Sequence, residues 1–365
     1  MKKKMIISVF ILLLSLVLVS GCVEEIFVEN GTTYQEHPTK ISYTISYGYS
    51  LKCSGNGDFR LMYDCDTPEV LKGQAALVEV LNDEYEDVTL ATFNDMKSWN
   101  LSKDSCNDLE LGITANVVAE SFVISDLTGS NALTIEEIGD NYPSYVSQYC
   151  KAQSNDTKTF IDPDNLLIRN KADEIFTKAG TNNSFLVAKE IFSWLKENTE
   201  YQIHASGDNN VQSCDVTFEE KTGDCDDLSF LYISLCRSLN IPARFIRGFL
   251  IEENLAIAHA WVEVFVGGDV GNNGWIPVEC AGTATGSDKI ESEINQNFGL
   301  ESAGHLRLFV DDGSDESMKV SLSGIKYIVD SSLTITNPIS FSTVTNYQIL
   351  EEKELNIKDG IRSYQ

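Results

Sequence analysis

Basic residues are scarce in this 365-residue chain: Lys and Arg together number 27 against 55 Asp and Glu, a net charge of −28. A phosphate backbone needs a basic stripe to neutralise it, so nucleic acid is excluded as a main partner. General adsorption to an anionic membrane face is disfavoured for the same reason. No Cys-x-x-Cys pair occurs, which weakens a thiol redox role, and no Cys/His spacing fits a zinc site. Beyond Val19 no apolar run is long enough to cross a bilayer. Repeats and low-complexity segments are lacking, and there are only four histidines. What is present is core material. Hydrophobics at 42% and aromatics at 10% exclude a disordered chain, and the length fits two or three domains.

The N-terminus reads as an export signal: Met1-Lys2-Lys3-Lys4, then an apolar run from Met5 to Val19. The run is short for a membrane span and ends in Val19-Ser20-Gly21-Cys22, which resembles the lipobox of prokaryotic lipoproteins. The resemblance implies a signal peptide over 1–21, lipidation of Cys22, and an extracytoplasmic body anchored to the cell membrane through its N-terminal lipid. Such a compartment permits disulfides among the other eight cysteines, in any of 105 complete pairings. Sequons at Asn30, Asn100, Asn155 and Asn182 are compatible with export.

Polar, unpatterned residues 22–39 read as a tether. Ile41, Tyr43, Ile45, Tyr47, Tyr49 and Leu51 then alternate with polar or small residues, which predicts a half-buried strand. Short apolar runs after it make 40–155 a β-rich, sandwich-like domain. The period changes near residue 160. Ile168, Ala172, Ile175 and Phe176 share a helix face, with Gly180 as the stop. Val187, Ile191, Trp194 and Leu195 repeat the pattern behind an expected Ser184 N-cap. Leu228, Leu231, Tyr232, Leu235 and Leu239 mark a third helix, ended by Pro242. Strands are expected at 243–251, 258–266, 275–280, 305–310, 318–323 and 325–329. The half from 160 to 335 is therefore α+β, helices on an antiparallel sheet, with 336–365 as a C-terminal extension.

Thr222-Gly223-Asp224-Cys225-Asp226-Asp227 runs into the third helix, so Cys225 sits near a helix N-terminus, where the dipole favours a thiolate nucleophile. The adjacent Asp224, Asp226 and Asp227 oppose that effect unless they cap the helix or face water. A thiol needs a base, and His259 lies mid-strand in Ala258-His259-Ala260-Trp261-Val262-Glu263. Trp275-Ile276-Pro277-Val278-Glu279 brings a carboxylate on the next strand. Pairing 266 with 275 sets Glu279 opposite Val262, and a shift of a residue or two would bring it diagonal to His259.

These three segments, in this order, together with Leu235-Cys236-Arg237-Ser238-Leu239-Asn240-Ile241-Pro242-Ala243-Arg244, resemble the transglutaminase-like superfamily over about 165–330. The resemblance implies a papain-like thiol site with Cys225 as nucleophile, His259 as base and Glu279 as the acid, where the family usually has Asp. It implies an enzyme acting on amide or peptide bonds through a thioester, with peptidase or amidase action favoured over transamidation. The partners would be a peptide or protein amide, or a cell-envelope polymer. The competing reading is a catalytically silent envelope protein that binds peptides or glycans in the same groove. Tyr201, Trp194 or Gln202 could supply an oxyanion donor beside the Cys225 N–H. With Cys225 a free thiol and Cys236 a core residue, the others could pair as Cys53–Cys65, Cys106–Cys150 and Cys214–Cys280. No cofactor and no structural metal are expected. Asp311 to Glu316 reads as a solvated turn rather than a calcium loop, and His305 and Arg307 read as surface residues of a strand.

Overall fold

The alternating run at Ile41 forms part of a long strand, Thr32–Leu51, in the computed structural model of the chain. The structure describes residues 27–29, 32–90, 94–105, 107–139, 141–153, 156–204, 211–282, 289–315, 318, 325–329, 332–336 and 338–365. The expected signal peptide, Cys22, Cys106 and residues 319–323 of the expected strand at 318–323 lie outside those residues. No helix among the described residues is long and apolar enough to cross a membrane.

Strand Thr32–Leu51 pairs with Leu109–Glu120 on one side and Ile339–Lys358 on the other. The segment read as a C-terminal extension thus supplies strands to the N-terminal sheet, and residues 33–38 of the expected tether pair with it. A second sheet contains Phe59–Asp66 and Asn94–Lys103. The two sheets bury a common core of Ile41, Tyr43, Ile45, Leu61, Tyr63, Trp99 and Ile113, the sandwich that the alternation implied. The Tyr63 and Trp99 rings stack with centroids 5.5 Å apart.

Beyond it lie helices Leu166–Ala179, Ser184–Asn198, Cys214–Glu220 and Cys225–Ser238. Gly180 stops the first in a left-handed conformation at φ 62°. The second is capped by Asn183, whose side chain accepts from the Leu186 N–H, so the expected cap Ser184 is already inside the helix. These helices share a core with Phe245, Ala260, Val262, Val264 and Ile276 of a four-stranded antiparallel sheet. Its order is Trp275–Val278, Leu255–Phe265, Ala243–Glu252, His305–Val310.

The sandwich closes the outer edge of that sheet. Gln74 binds the backbone of Arg307 from both ends of its amide, at 2.9 and 3.0 Å. Asn94 does the same for Val310, at 2.7 and 2.8 Å. Each side-chain amide thus replaces a missing neighbour strand. Asp66 pairs with Arg247 across the same junction.

Expected disulfides do not form at three positions. Cys65, Cys214 and Cys280 are buried free thiols, so neither Cys53–Cys65 nor Cys214–Cys280 exists. Each acts as a small core side chain: burial pushes the Cys65 thiol up to about 12 and that of Cys214 up to about 11. Cys236 is likewise buried and free, and Cys53 is held in a disulfide with a partner other than Cys65.

Arg307 and Asp311 are also not surface residues. Arg307 is 8% exposed and pairs with Glu263 at 2.7 Å and with Glu301. Arg244 joins Glu263 from the other side, with its Nε at 2.8 Å. Asp311 is 1% exposed and pairs with Arg237 at 3.0 Å. Burial alone would raise the Glu263 carboxyl, but the two guanidiniums outweigh it and hold it down at about 2. A folded-state value below the unfolded one stabilises at neutral pH, and that contribution is lost as pH falls from about 4.5 toward about 2. Glu263→Gln should cost about 3–5 kcal/mol at pH 7 in urea titration. It should also remove much of the acid-induced fall in stability across that window.

Candidate active site

Cys225 is the first residue of helix Cys225–Ser238, and the acidic residues around it form the cap. The Asp224 carboxylate accepts the Asp226 N–H at 3.2 Å, and Asp227 accepts the Asp224 N–H at 3.1 Å, a reciprocal capping box. Asp227 is fully buried and also accepts the Gln212 N–H at 2.7 Å and the His204 Nε2–H at 2.8 Å. Two of the three carboxylates are therefore committed to the backbone. The third, Asp226, comes within 3.9 Å of the Cys225 sulfur. Burial and the charges of Asp224 and Asp227 push Asp226 up to about 7. Burial, then Asp226 and Asp224, push the Cys225 thiol well above its ordinary range, and a hydrogen bond from the Ala260 backbone draws it partly back. That bond places the sulfur beside the residue after His259.

The register between the next two strands decides where the acid goes. Phe265 pairs with Trp275 and Glu263 with Pro277, one residue from the expected pairing. Side chains alternate between faces along a strand, so this step moves Glu279 onto the face of His259 and Trp261. The backbone N–H of Glu279 is fixed by the Asn297 carbonyl at 2.8 Å. The Glu279 Oε1 accepts the Ala281 N–H at 2.7 Å, and Oε2 accepts the His259 Nε2–H at 2.6 Å. A carboxylate only accepts, so the proton of neutral His259 sits on Nε2, and Nδ1 is left as the basic nitrogen. Burial disfavours the charged imidazole, but the Glu279 charge and hydrogen bond outweigh it and raise the His259 pKa above the ordinary value. Burial is likewise outweighed at Glu279, which the two imidazoles hold well below the usual carboxylate range.

The second imidazole is His305, whose side chain is only 10% exposed. Its Nε2 donates to the same Glu279 oxygen at 3.1 Å, and its Nδ1 meets the Ser302 hydroxyl at 2.8 Å. The sequence places His305 on a strand but carries no sign of this contact. The nearest signal is Gly248, a glycine inside a strand, which often marks close approach of backbones. A Cβ there would lie 1.8 Å from the Leu306 carbonyl oxygen.

Of the oxyanion candidates, Trp194 stacks on Phe218 with centroids 5.8 Å apart and has Lys171 and Lys221 over its ring. Tyr201 pairs with Gly223 in a short parallel bridge, and its phenol feels the charges of Cys225 and Asp224. Burial is the first cause that drives that phenol up, so it keeps its O–H at neutral pH. Gln202 lines a polar cavity of about 220 Å³ with His204, Gln212, Glu220, Thr222 and Gly223. His259, Glu279 and His305 could hold a metal by donor type, as could His204, Asp224 and Asp227. In the first group, however, the 2.6 Å contact is that of a hydrogen bond. Ligands of one tetrahedral zinc at about 2.0–2.1 Å lie about 3.3 Å apart.

Residues 169–280 match the transglutaminase-like superfamily. The chain is similar in fold to a candidate cysteine protease from Cytophaga hutchinsonii, at TM-score 0.54 and 18% identity, covering 91% of this chain and 100% of that one. The periplasmic domain of TgpA from Pseudomonas aeruginosa follows at TM-score 0.31 and 12% identity, covering 71% of this chain and 93% of that one. No match was found among curated proteins. The region 169–280 thus matches the papain-like fold of transglutaminase-like proteins.

Because Glu279 raises His259, the alkylation rate of Cys225 should fall as pH drops through a value above the ordinary imidazole range, near 6.5. Glu279→Gln removes the charge that favours imidazolium, so the acid limb should move to lower pH. The plateau rate should drop about 10²- to 10⁴-fold, as for other bases that lose their orienting carboxylate. Stopped-flow alkylation across pH 5–9 checks both.

Proposed function

We propose that the transglutaminase-like domain is a thiol acyl-transfer enzyme that acts on amide or peptide bonds, with water as the favoured acceptor. The observation that carries this reading is the His259–Glu279 hydrogen bond, which leaves Nδ1 available on the residue next to Ala260, whose backbone contacts a cysteine at a helix N-terminus. His259 Nδ1 takes the Cys225 proton as the sulfur adds to the carbonyl carbon. The resulting oxyanion meets the Cys225 N–H, which has no partner within the helix at this position. The Tyr201 O–H is the second donor in this reading.

Imidazolium then gives its proton to the leaving nitrogen, the C–N bond breaks, and a thioester remains on Cys225. A water that loses its proton to His259 adds to the thioester, and the acid leaves as the sulfur recovers the proton. An amine in place of water would give transamidation. Water needs no second binding site, which favours hydrolysis.

Incubation with a panel of peptide and cell-wall amides should yield released amine or ammonia and a mass increase confined to Cys225. Cys225→Ala should abolish the adduct, and His259→Ala should slow turnover by about 10³-fold or more. If no adduct forms and Cys225 reacts no faster with an alkylator than buried Cys236, the silent groove-binding reading takes its place.

The export signal supports an extracytoplasmic location with lipid on Cys22. Metabolic labelling with a clickable fatty acid should mark the chain in its native cell type. Cys22→Ser should abolish the label and release the protein from the membrane fraction; unchanged partitioning would reject the anchor.

A further inference from the structure

His305 belongs to no part of the chemistry above, yet it lies half-buried against Glu279. The Glu279 Oε2 accepts from both imidazoles, at 2.6 Å from His259 and 3.1 Å from His305, while Oε1 is taken by the Ala281 N–H. Three of the roughly four lone-pair positions of the carboxylate are thereby filled. The two rings lie 5.7 Å apart by centroid, and the Trp261 ring stands 4.9 Å from His305. On the strand between them, the residue opposite His259 is Gly248, which offers no side chain to intervene. The Ser302 hydroxyl at Nδ1 holds the outer ring in place.

We propose that His305 is a positioning residue of this site: its Nε2–H shares the Glu279 oxygen, fixes the carboxylate rotamer and moderates the pull of its charge on His259. The inference rests on the acyl-transfer reading only for its catalytic consequence. The Glu279 side chain, one methylene longer than Asp, has an extra torsion to restrain. Three converging N–H groups restrain it. A charge divided between two donors also holds the His259 proton less tightly than one devoted to a single donor.

The other groups facing the pair are Asp226, Asp224 and Cys225 from the helix start, Lys196 from helix Ser184–Asn198, and Tyr201. All of them are common to the variants below.

The test reads His259 directly. The full chain has four histidines, so their ring carbons can be labelled and titrated by NMR. His305→Gln places an amide N–H near the lost Nε2 and should leave the His259 titration near that of the native protein. His305→Leu removes the donor and should move the His259 midpoint upward by about half to one pH unit, the size expected for loss of part of one charged hydrogen bond. Ser302→Ala, which only loosens the ring, should give a smaller shift of the same sign.

The alkylation of Cys225 should show the same displacement in its acid limb, with a plateau about three- to tenfold lower in His305→Leu. A His259 midpoint that is equal in native, Gln and Leu proteins overturns the proposal, as does an equal shift in Gln and Leu. If His305→Leu does not fold, Ser302→Ala decides by the same criterion. A slow Cys225 with the expected NMR shift would instead reject the functional reading and keep His305 as the partner of Glu279.

Discussion

One oxygen atom, the Oε2 of Glu279, sets the chemistry available in this half of the molecule. A buried carboxylate is tolerated only when donors replace its water. Here the donors are the His259 and His305 imidazoles on one oxygen and the Ala281 backbone on the other. The consequence runs outward from that atom. It fixes the His259 tautomer, so Nδ1 is the nitrogen that can move a proton. It also requires the strand register that brings Glu279 to the His259 face, and that register follows from Phe265 pairing with Trp275. A slip of one residue would turn the carboxylate to the other face and leave a charge in the helix-packed core.

The surroundings of Cys225 pose the opposite problem, since negative charge gathers around the thiol proposed as the nucleophile. The fold reduces the effective charge without removing a carboxylate. Asp224 and Asp227 spend their lone pairs on the first-turn N–H groups and on Gln212 and His204. Asp226, pushed up to about 7, is half-neutral near physiological pH. Burial, with Asp226 and Asp224, raises the thiol well above its ordinary range. In the proposed reaction, proton transfer to His259 therefore accompanies attack, and no standing thiolate–imidazolium pair precedes it.

Much of this was legible from residue order, and the exceptions share a cause. Helices Leu166–Ala179, Ser184–Asn198 and Cys225–Ser238 are legible because their apolar faces repeat at helical spacing, and Thr32–Leu51 because one face is buried; the two-turn helix Cys214–Glu220 is too short to show such a repeat. Ile339–Lys358 is mostly exposed along its length, so no alternation marks it, and its partner lies some three hundred positions earlier. Contacts made across that separation leave no local pattern. The same holds for His305 and Arg307, whose partners Glu279, Glu263 and Glu301 come from other elements. In the sequence they are polar residues on a strand, and such residues face water more often than not. The cysteines misled for a related reason. The expected export would make disulfides permissible, but Cys65, Cys214 and Cys280 each lie in an apolar core where a thiol packs as a small hydrophobe.

The sandwich then has a mechanical consequence for the site. Strand His305–Val310 is the last of its sheet, and an uncovered edge strand frays from its ends. Its first residue is the one that touches Glu279. Gln74 and Asn94 hold its backbone at Arg307 and Val310, while the Arg307 side chain is anchored by Glu263 and Glu301. Glu263 lies on the same strand as His259, four residues further along. The same buried ions therefore join the strand that carries His259 to the strand that carries His305. A disturbance of the sandwich edge at Gln74 would reach Glu279 through His305 before it reached Cys225, because the helix start is secured separately by its own cap.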